Sequence, residues 1–316
     1  MLAIPHKAKQ FLLVIIKLLI VSVALYFIYH ELRYEKKIDW SVITSYLSIK
    51  SVSILLLFSN FNWVLEIFKW QNLVSYFKNI SFFEAAKQSL GSLTASIFTP
   101  NRIGEYGAKT LYFSKENRKQ IIFLNLIGNS SQMAVTCLFG LIGFIILSFK
   151  ITETMFWIHF KIKTIHIFIF IVLIAFIFIL IKFKNIEFYG FSVQKLNSKI
   201  KKFPRNILFS NFQLSIMRYL IFSHQFYYLL VIFQCEIEYS TALSTIFIMY
   251  FLASIIPSIH LMDVAIKGSV AVYLFGNLDV ESIKIISITS LMWLFNLVLP
   301  VVIGSYFVLR FKPEKV

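Results

Sequence analysis

The chain has 316 residues, of which 58% are hydrophobic and 15% charged, and 35 are phenylalanine. Soluble domains carry nearer ~25% charged residues, so too few are present here to wet a globular surface. Disordered, collagen-like and disulfide-scaffold classes are excluded too. On this apolar background, with mean hydropathy +0.77, the 31 Lys+Arg against 15 Asp+Glu point to cytosolic loops facing anionic headgroups. They do not point to nucleic acid.

The composition predicts an all-α, polytopic membrane bundle forming a single domain over 1–316. A hydrocarbon core of ~30 Å needs ~20 apolar residues per helix. The plain candidate spans are Phe11–Tyr29, Val52–Trp70, Ile121–Phe149, Thr164–Ile181, Phe212–Gln234, Thr241–Ile259 and Ile283–Phe311. Phe11–Tyr29 is expected to be a retained span, because no small-residue cleavage site follows it. Between the first two spans, Trp40, Ile43, Tyr46 and Leu47 share one helical face. That pattern suits an interfacial helix or a short helix in a solvated loop.

Two further apolar stretches are interrupted, 82–113 and 256–276. Each carries Ser-Ile, a proline within four residues of the Ser (Pro100, Pro257), an acid (Glu105, Asp263) and a Lys four residues after the acid (Lys109, Lys267). Proline removes a backbone donor. Freed backbone groups cannot face lipid, so such segments line a cavity or pack against protein. A matched pair of them suggests an internal repeat with a binding site between its halves. Pro100, Gly104 and Pro257 are the predicted helix breaks.

Orientation follows from the loops. The segment 182–205 holds seven Lys/Arg against one Glu, and both tails are basic. Positive-inside bias places both termini in the cytosol, which requires an even number of crossings. Seven plain spans plus one across 256–276 give eight.

Charge inside a membrane costs ~2.5–3.5 kcal/mol per residue and marks cavities. Arg102, Glu105, Lys109, Asp263 and Lys267 are therefore candidates for a headgroup site. So is Arg218, whose guanidinium can clamp a phosphate bidentately. Asn125, Asn129, Gln132 and Thr136 form one helical stripe, and Asn211, Ser215, Arg218 and Gln225 form another. Asn125, Asn129, Gln132 and Gln225 are predicted to line a polar cavity. Interhelical hydrogen bonding is the simpler use of the same stripes. Asn62, Glu66 and Lys69 share a face near a span end where water can reach. Trp63 and Trp70 suit an interfacial belt.

Cys137 and Cys235 lie in apolar runs and read as small core residues. No His-x-x-x-His spacing, phosphate loop or nucleophile elbow occurs, so neither metal, cofactor nor ATP is expected. His260 and Asp263 could pair at i, i+3.

The run Pro100-Asn101-Arg102-Ile103-Gly104-Glu105 resembles the Pro-x-Arg-x-Gly-Glu signature of the lysylphosphatidylglycerol synthase transmembrane (flippase-like) family. Lys69-Trp70-Gln71-Asn72-Leu73 is similar to that family's Arg/Lys-Trp-x-x-Leu. The resemblance implies a bacterial inner (plasma) membrane protein whose cargo is a phospholipid or lipid-linked headgroup. A separate lipid-modifying enzyme is then a partner. The synthase domain of the bifunctional members is not in this sequence, so aminoacyl transfer is not expected. The chain also departs from the family, since no glycine lies between Pro257 and Asp263.

Three functions follow as expectations. A flippase- or scramblase-type lipid translocator, not an enzyme, stands first. A membrane-embedded transferase on lipid-linked substrates and a non-catalytic assembly subunit are the alternatives.

Overall fold

The computed structural model describes residues 15, 17–23, 25–26, 29, 40–99, 103–150, 193–256 and 263–312. Within them all regular structure is helical. In chain order these are α1 (Trp40–Tyr46), α2 (Ile49–Val74), α3 (Phe82–Ser96), α4 (Ile103–Thr110) and α5 (Arg118–Lys150). There follow α6 (Val193–Lys202), α7 (Arg205–Ile232), α8 (Tyr239–Ile255), α9 (Asp263–Gly276), α10 (Ser282–Trp293) and α11 (Leu299–Leu309). Three stretches are long and apolar enough to cross a membrane: α2, α5 with the turn before it, and Ser282–Leu309. Helices α8 and α9 are apolar but shorter. The expected span Thr164–Ile181 and part of Phe11–Tyr29 lie outside the described residues.

Helix starts follow local chemistry. Ser48 caps α2 in a reciprocal box with Ser51, and Ser81 caps α3 in one with Glu84. Helix α7 ends with Gln234 at φ 52°, and the Cys235 amide donates back to the Leu230 carbonyl at 2.9 Å. That left-handed closure usually takes glycine. Stretch 82–113 is two helices, α3 and α4. Gly104 is the second described residue of α4, next to the break. A side chain there would meet Thr99 and Ser96, so Gly104 permits close packing of the two helices. The Thr99 hydroxyl accepts from the Gly104 amide at 2.9 Å and satisfies a donor near the start of α4.

In lipid, helices associate through close contact rather than water exclusion, so small residues sit where backbones approach. Gly140 and Gly143 of α5 face Phe251, Phe247 and the Ser244 carbonyl of α8. Gly304 of α11 lies against the Leu90 carbonyl of α3, and Thr94 of α3 donates to the Val301 carbonyl at 3.1 Å. Ile43, Tyr46 and Leu47 pack into the main apolar cluster, with Tyr46 stacked on Phe233 at 4.8 Å. Their common face therefore meets protein.

The stretch Ser282–Leu309 holds a discontinuity not foreseen from the sequence. Leu299 donates its amide to the Leu294 carbonyl, one residue further back than α-helical register, making a π turn over Leu294–Val298. Pro300 has no amide to donate. The carbonyls of Phe295 and Asn296 are thus released together. Ser59 takes the first at 2.5 Å, and the Trp63 indole takes the second at 3.1 Å. An interior proline ordinarily costs ~3 kcal/mol or more. Two donors one turn apart on α2 offset part of that and bind α2 to the carboxy-terminal helix.

Candidate functional site

Helix α2 is the spine of a buried polar interior. Asn62, Trp63, Glu66, Lys69 and Trp70 lie on its inward face. Asn62 donates to Asn296 Oδ1 at 2.8 Å, and Asn296 donates to Gln225 Oε1 of α7 at 2.9 Å. Gln225 also donates to the Leu55 carbonyl at 3.2 Å. Asn296 thus joins three helices around the π turn.

One turn further along α2 is a shared ion cluster. Glu66 Oε2 accepts from Lys69 at 3.3 Å and from Arg218 of α7 at 3.1 Å. Gln132 Oε1 of α5 accepts from the same two cations, Lys69 at 3.1 Å and Arg218 at 3.3 Å. The Arg218 guanidinium lies 6.0 Å from the Trp63 ring centroid.

A second cluster lies near Trp70, two turns and about 10 Å along α2 from Trp63. Lys109 Nζ of α4 pairs with Glu105 at 2.7 Å and donates to Asn125 Oδ1 of α5 at 2.8 Å. It sits 4.0 Å from the centre of the Trp70 ring. The Trp70 indole donates to Gln88 Oε1 of α3 at 2.6 Å. Asn129, one turn along α5 from Asn125, donates to the Tyr106 hydroxyl at 3.1 Å.

All five charged residues of these clusters are only 3 to 9% exposed. Removing a charge from water costs several kcal/mol unless it is paired and hydrogen-bonded. Here each carboxylate meets at least one cation, and each cation a second polar or aromatic partner. The candidates Glu105, Lys109 and Asn125 come together in one cluster, and Arg218 and Gln132 in the other. Gln225 joins the Asn296 bridge instead. Lys267 is half-buried on α9, and Asp263 opens that helix. Pro100, Arg102, Pro257, His260 and the side chain of Asp263 lie outside the described residues.

Four features differ from the sequence reading. Glu66 is buried rather than wet, and with Lys69 it completes the Arg218 cluster. Trp63 and Trp70 are buried under cations instead of forming an interfacial belt. Asn296 and Gln88 were absent from the candidates. Asn296 carried a signal, since it stands four residues before Pro300, where an unpaired carbonyl must be satisfied.

Both interrupted stretches reach one apolar cluster. Phe98, just after α3, and Val264 at the start of α9 pack on this cluster, which includes Trp63, Leu93, Ile97 and Val298. A cavity of about 550 Å³ opens between α2 and the start of α7, lined by Gln71, Asn72, Ser75, Asn79 and Ser210 with Phe68, Ile80 and Leu214. It holds no charged side chain, and none of the candidate residues lines it. Among the described residues, no three His, Cys, Asp or Glu converge as a metal site. No protein-family model matches the chain, and no curated protein is significantly similar to it.

Proposed function

We propose that the two ion clusters are the headgroup site of a membrane lipid translocator of flippase or scramblase type. One observation carries the reading: five charged side chains from α2, α4 and α7 are buried together in a strongly apolar helical chain. Apolar residues of the same volume would pack there at similar or better stability. Charge retained at that cost inside a membrane marks a pathway by default. Arg218 and Lys69 supply the donors a phosphate needs. Passive or ion-coupled movement, seven to eight crossings with both termini cytosolic, and a repeat relating the two interrupted stretches belong to the same proposal. So does the likeness of Pro100–Glu105 to the flippase-like signature.

Native mass spectrometry of the protein in mild detergent tests it, with wild type beside Arg218→Ala and Glu105→Gln. The proposal expects one lipid class to co-purify above its abundance in the membrane and to be lost from both variants. A bulk-like lipid profile, unchanged in both, would make the charges a scaffold and favour the assembly-subunit reading.

A further inference from the structure

We infer that the headgroup carried by this site is an uncharged polyol or sugar on a phosphate, and that Asn125, Ser89 and Ser92 are its hydroxyl-binding wall. The inference rests on the headgroup reading above and narrows it.

Both carboxylates of the site are already paired. Glu66 already accepts from two cations, and Glu105 is held by Lys109. An incoming ammonium would have to displace one of them while facing the others. A quaternary ammonium could instead seek aromatic faces. Both tryptophans at the site, however, already carry a cation, Arg218 near Trp63 and Lys109 over Trp70. Amine-bearing headgroups are therefore disfavoured at both clusters.

Three buried side-chain polar groups on α3 and α5 are left without a partner among the described residues. An ammonium only donates, so the oxygen of Asn125 must face Lys109, and that fixes its amide nitrogen as a donor pointing elsewhere. This nitrogen is buried and has no partner among the described residues. The hydroxyls of Ser89 and Ser92 on α3 are in the same state. Their neighbours Thr94 and Ser96 bond back to carbonyls of their own helix, whereas Ser89 and Ser92 do not. Ser92 lies one turn from Gln88 on the same face, and Gln88 leads through Trp70 to Lys109 and Asn125. Buried polar groups are nearly always paired in a working protein. Amide N–H and hydroxyl groups on a wall whose charges are already paired match the hydroxyls of a glycerol or sugar.

The test is competitive retention, read by native mass spectrometry. Purified protein is offered an equimolar mixture of phosphatidylglycerol, phosphatidic acid, phosphatidylethanolamine and phosphatidylcholine with identical chains. Phosphatidic acid carries the phosphate without the polyol. One hydrogen bond is worth about fivefold in affinity, so phosphatidylglycerol should exceed phosphatidic acid by at least about fivefold in the wild type. In a Ser89→Ala/Ser92→Ala variant that ratio should fall towards one. Equal retention of the two by the wild type, lost in Arg218→Ala, would overturn the polyol inference and leave the phosphate reading standing. Preference for phosphatidylethanolamine would also overturn it. Retention of all three other lipids no better than phosphatidylcholine would remove the headgroup reading itself. The wild-type ratio decides even if the serine variant fails to fold.

Discussion

The two buried ion clusters use the same residue types in different ways. Around Glu105 the acid and base lie four residues apart on one short helix, and a single carboxylate meets a single ammonium. Around Glu66 one carboxylate oxygen serves two cations, and the second comes from α7, 152 positions along the chain. The Glu105–Lys109 pair is local and survives as long as α4 is helical. The second cluster exists only when α2, α5 and α7 are docked, so it reports their packing.

The largest expected effect follows from that sharing. Glu66→Gln strands two buried cations and should destabilise the protein by about 3–5 kcal/mol, seen as a lowered melting temperature in detergent. Replacing the whole set (Glu66→Leu with Lys69→Leu and Arg218→Met) should recover most of that stability while abolishing lipid retention. Failure to recover it would mean that the shared cluster is required for folding. Glu105→Gln should cost nearer the lower end, about 3 kcal/mol, because Asn125 and Trp70 still hold Lys109.

The π turn gives a smaller, independent effect. Trp63→Phe leaves the Asn296 carbonyl buried without a donor, expected to cost about 1–3 kcal/mol. Adding Pro300→Ala restores a backbone amide for that carbonyl and should recover part of the loss. Full additivity of the two changes in a thermal-unfolding series would refute the capping account. Gly304→Ala should cost a similar about 1–3 kcal/mol, since its methyl would overlap the Leu90 carbonyl.

The smallest effect lies at the surface. The hydrogen bond from Lys150, with another from Ser240, holds the Glu238 carboxyl below the usual carboxylate range. A depressed folded value stabilises above the unfolded one, near about 4.3, and that contribution is lost as pH falls through the folded value. The melting-temperature gap between wild type and Glu238→Gln should therefore close between about pH 6 and about pH 3. Salt should shrink it at neutral pH. A gap that widened on acidification would contradict the pairing.

What the sequence discloses follows the same division between local and distant. The i, i+4 spacing of Glu105 and Lys109 predicts their contact, and the stripes on α5 and α7 predict which faces turn inward. Stretch 82–113 is interrupted as its composition suggests, and α2, α5 and Ser282–Leu309 are long and apolar enough to cross a membrane, as their runs imply. Helix α7, expected to span over Phe212–Gln234, is not among the stretches that meet both criteria. What stays hidden depends on pairing between distant helices. Nothing local to Glu66 says that Arg218 will reach it, so its place near a span end made it look wet. Trp63 and Trp70 looked like belt residues because their partners come from α7, α4, α3 and the π turn. Gly104 stands next to the break, as its place near a proline suggests. Its role is steric, and it needs the position of Thr99 to be seen.

On the proposed function, these buried charges act on lipid and are not only scaffold. The most direct test reconstitutes the protein into phosphatidylglycerol-containing vesicles with a trace of headgroup-accessible fluorescent phosphatidylglycerol and follows loss of signal to a membrane-impermeant quencher. Wild type should expose lipid from both leaflets. The Glu66→Leu/Lys69→Leu/Arg218→Met protein, folded and incorporated equally, should leave the inner half protected. Equal exposure by both proteins, or protection of the inner half by wild type, would contradict the account.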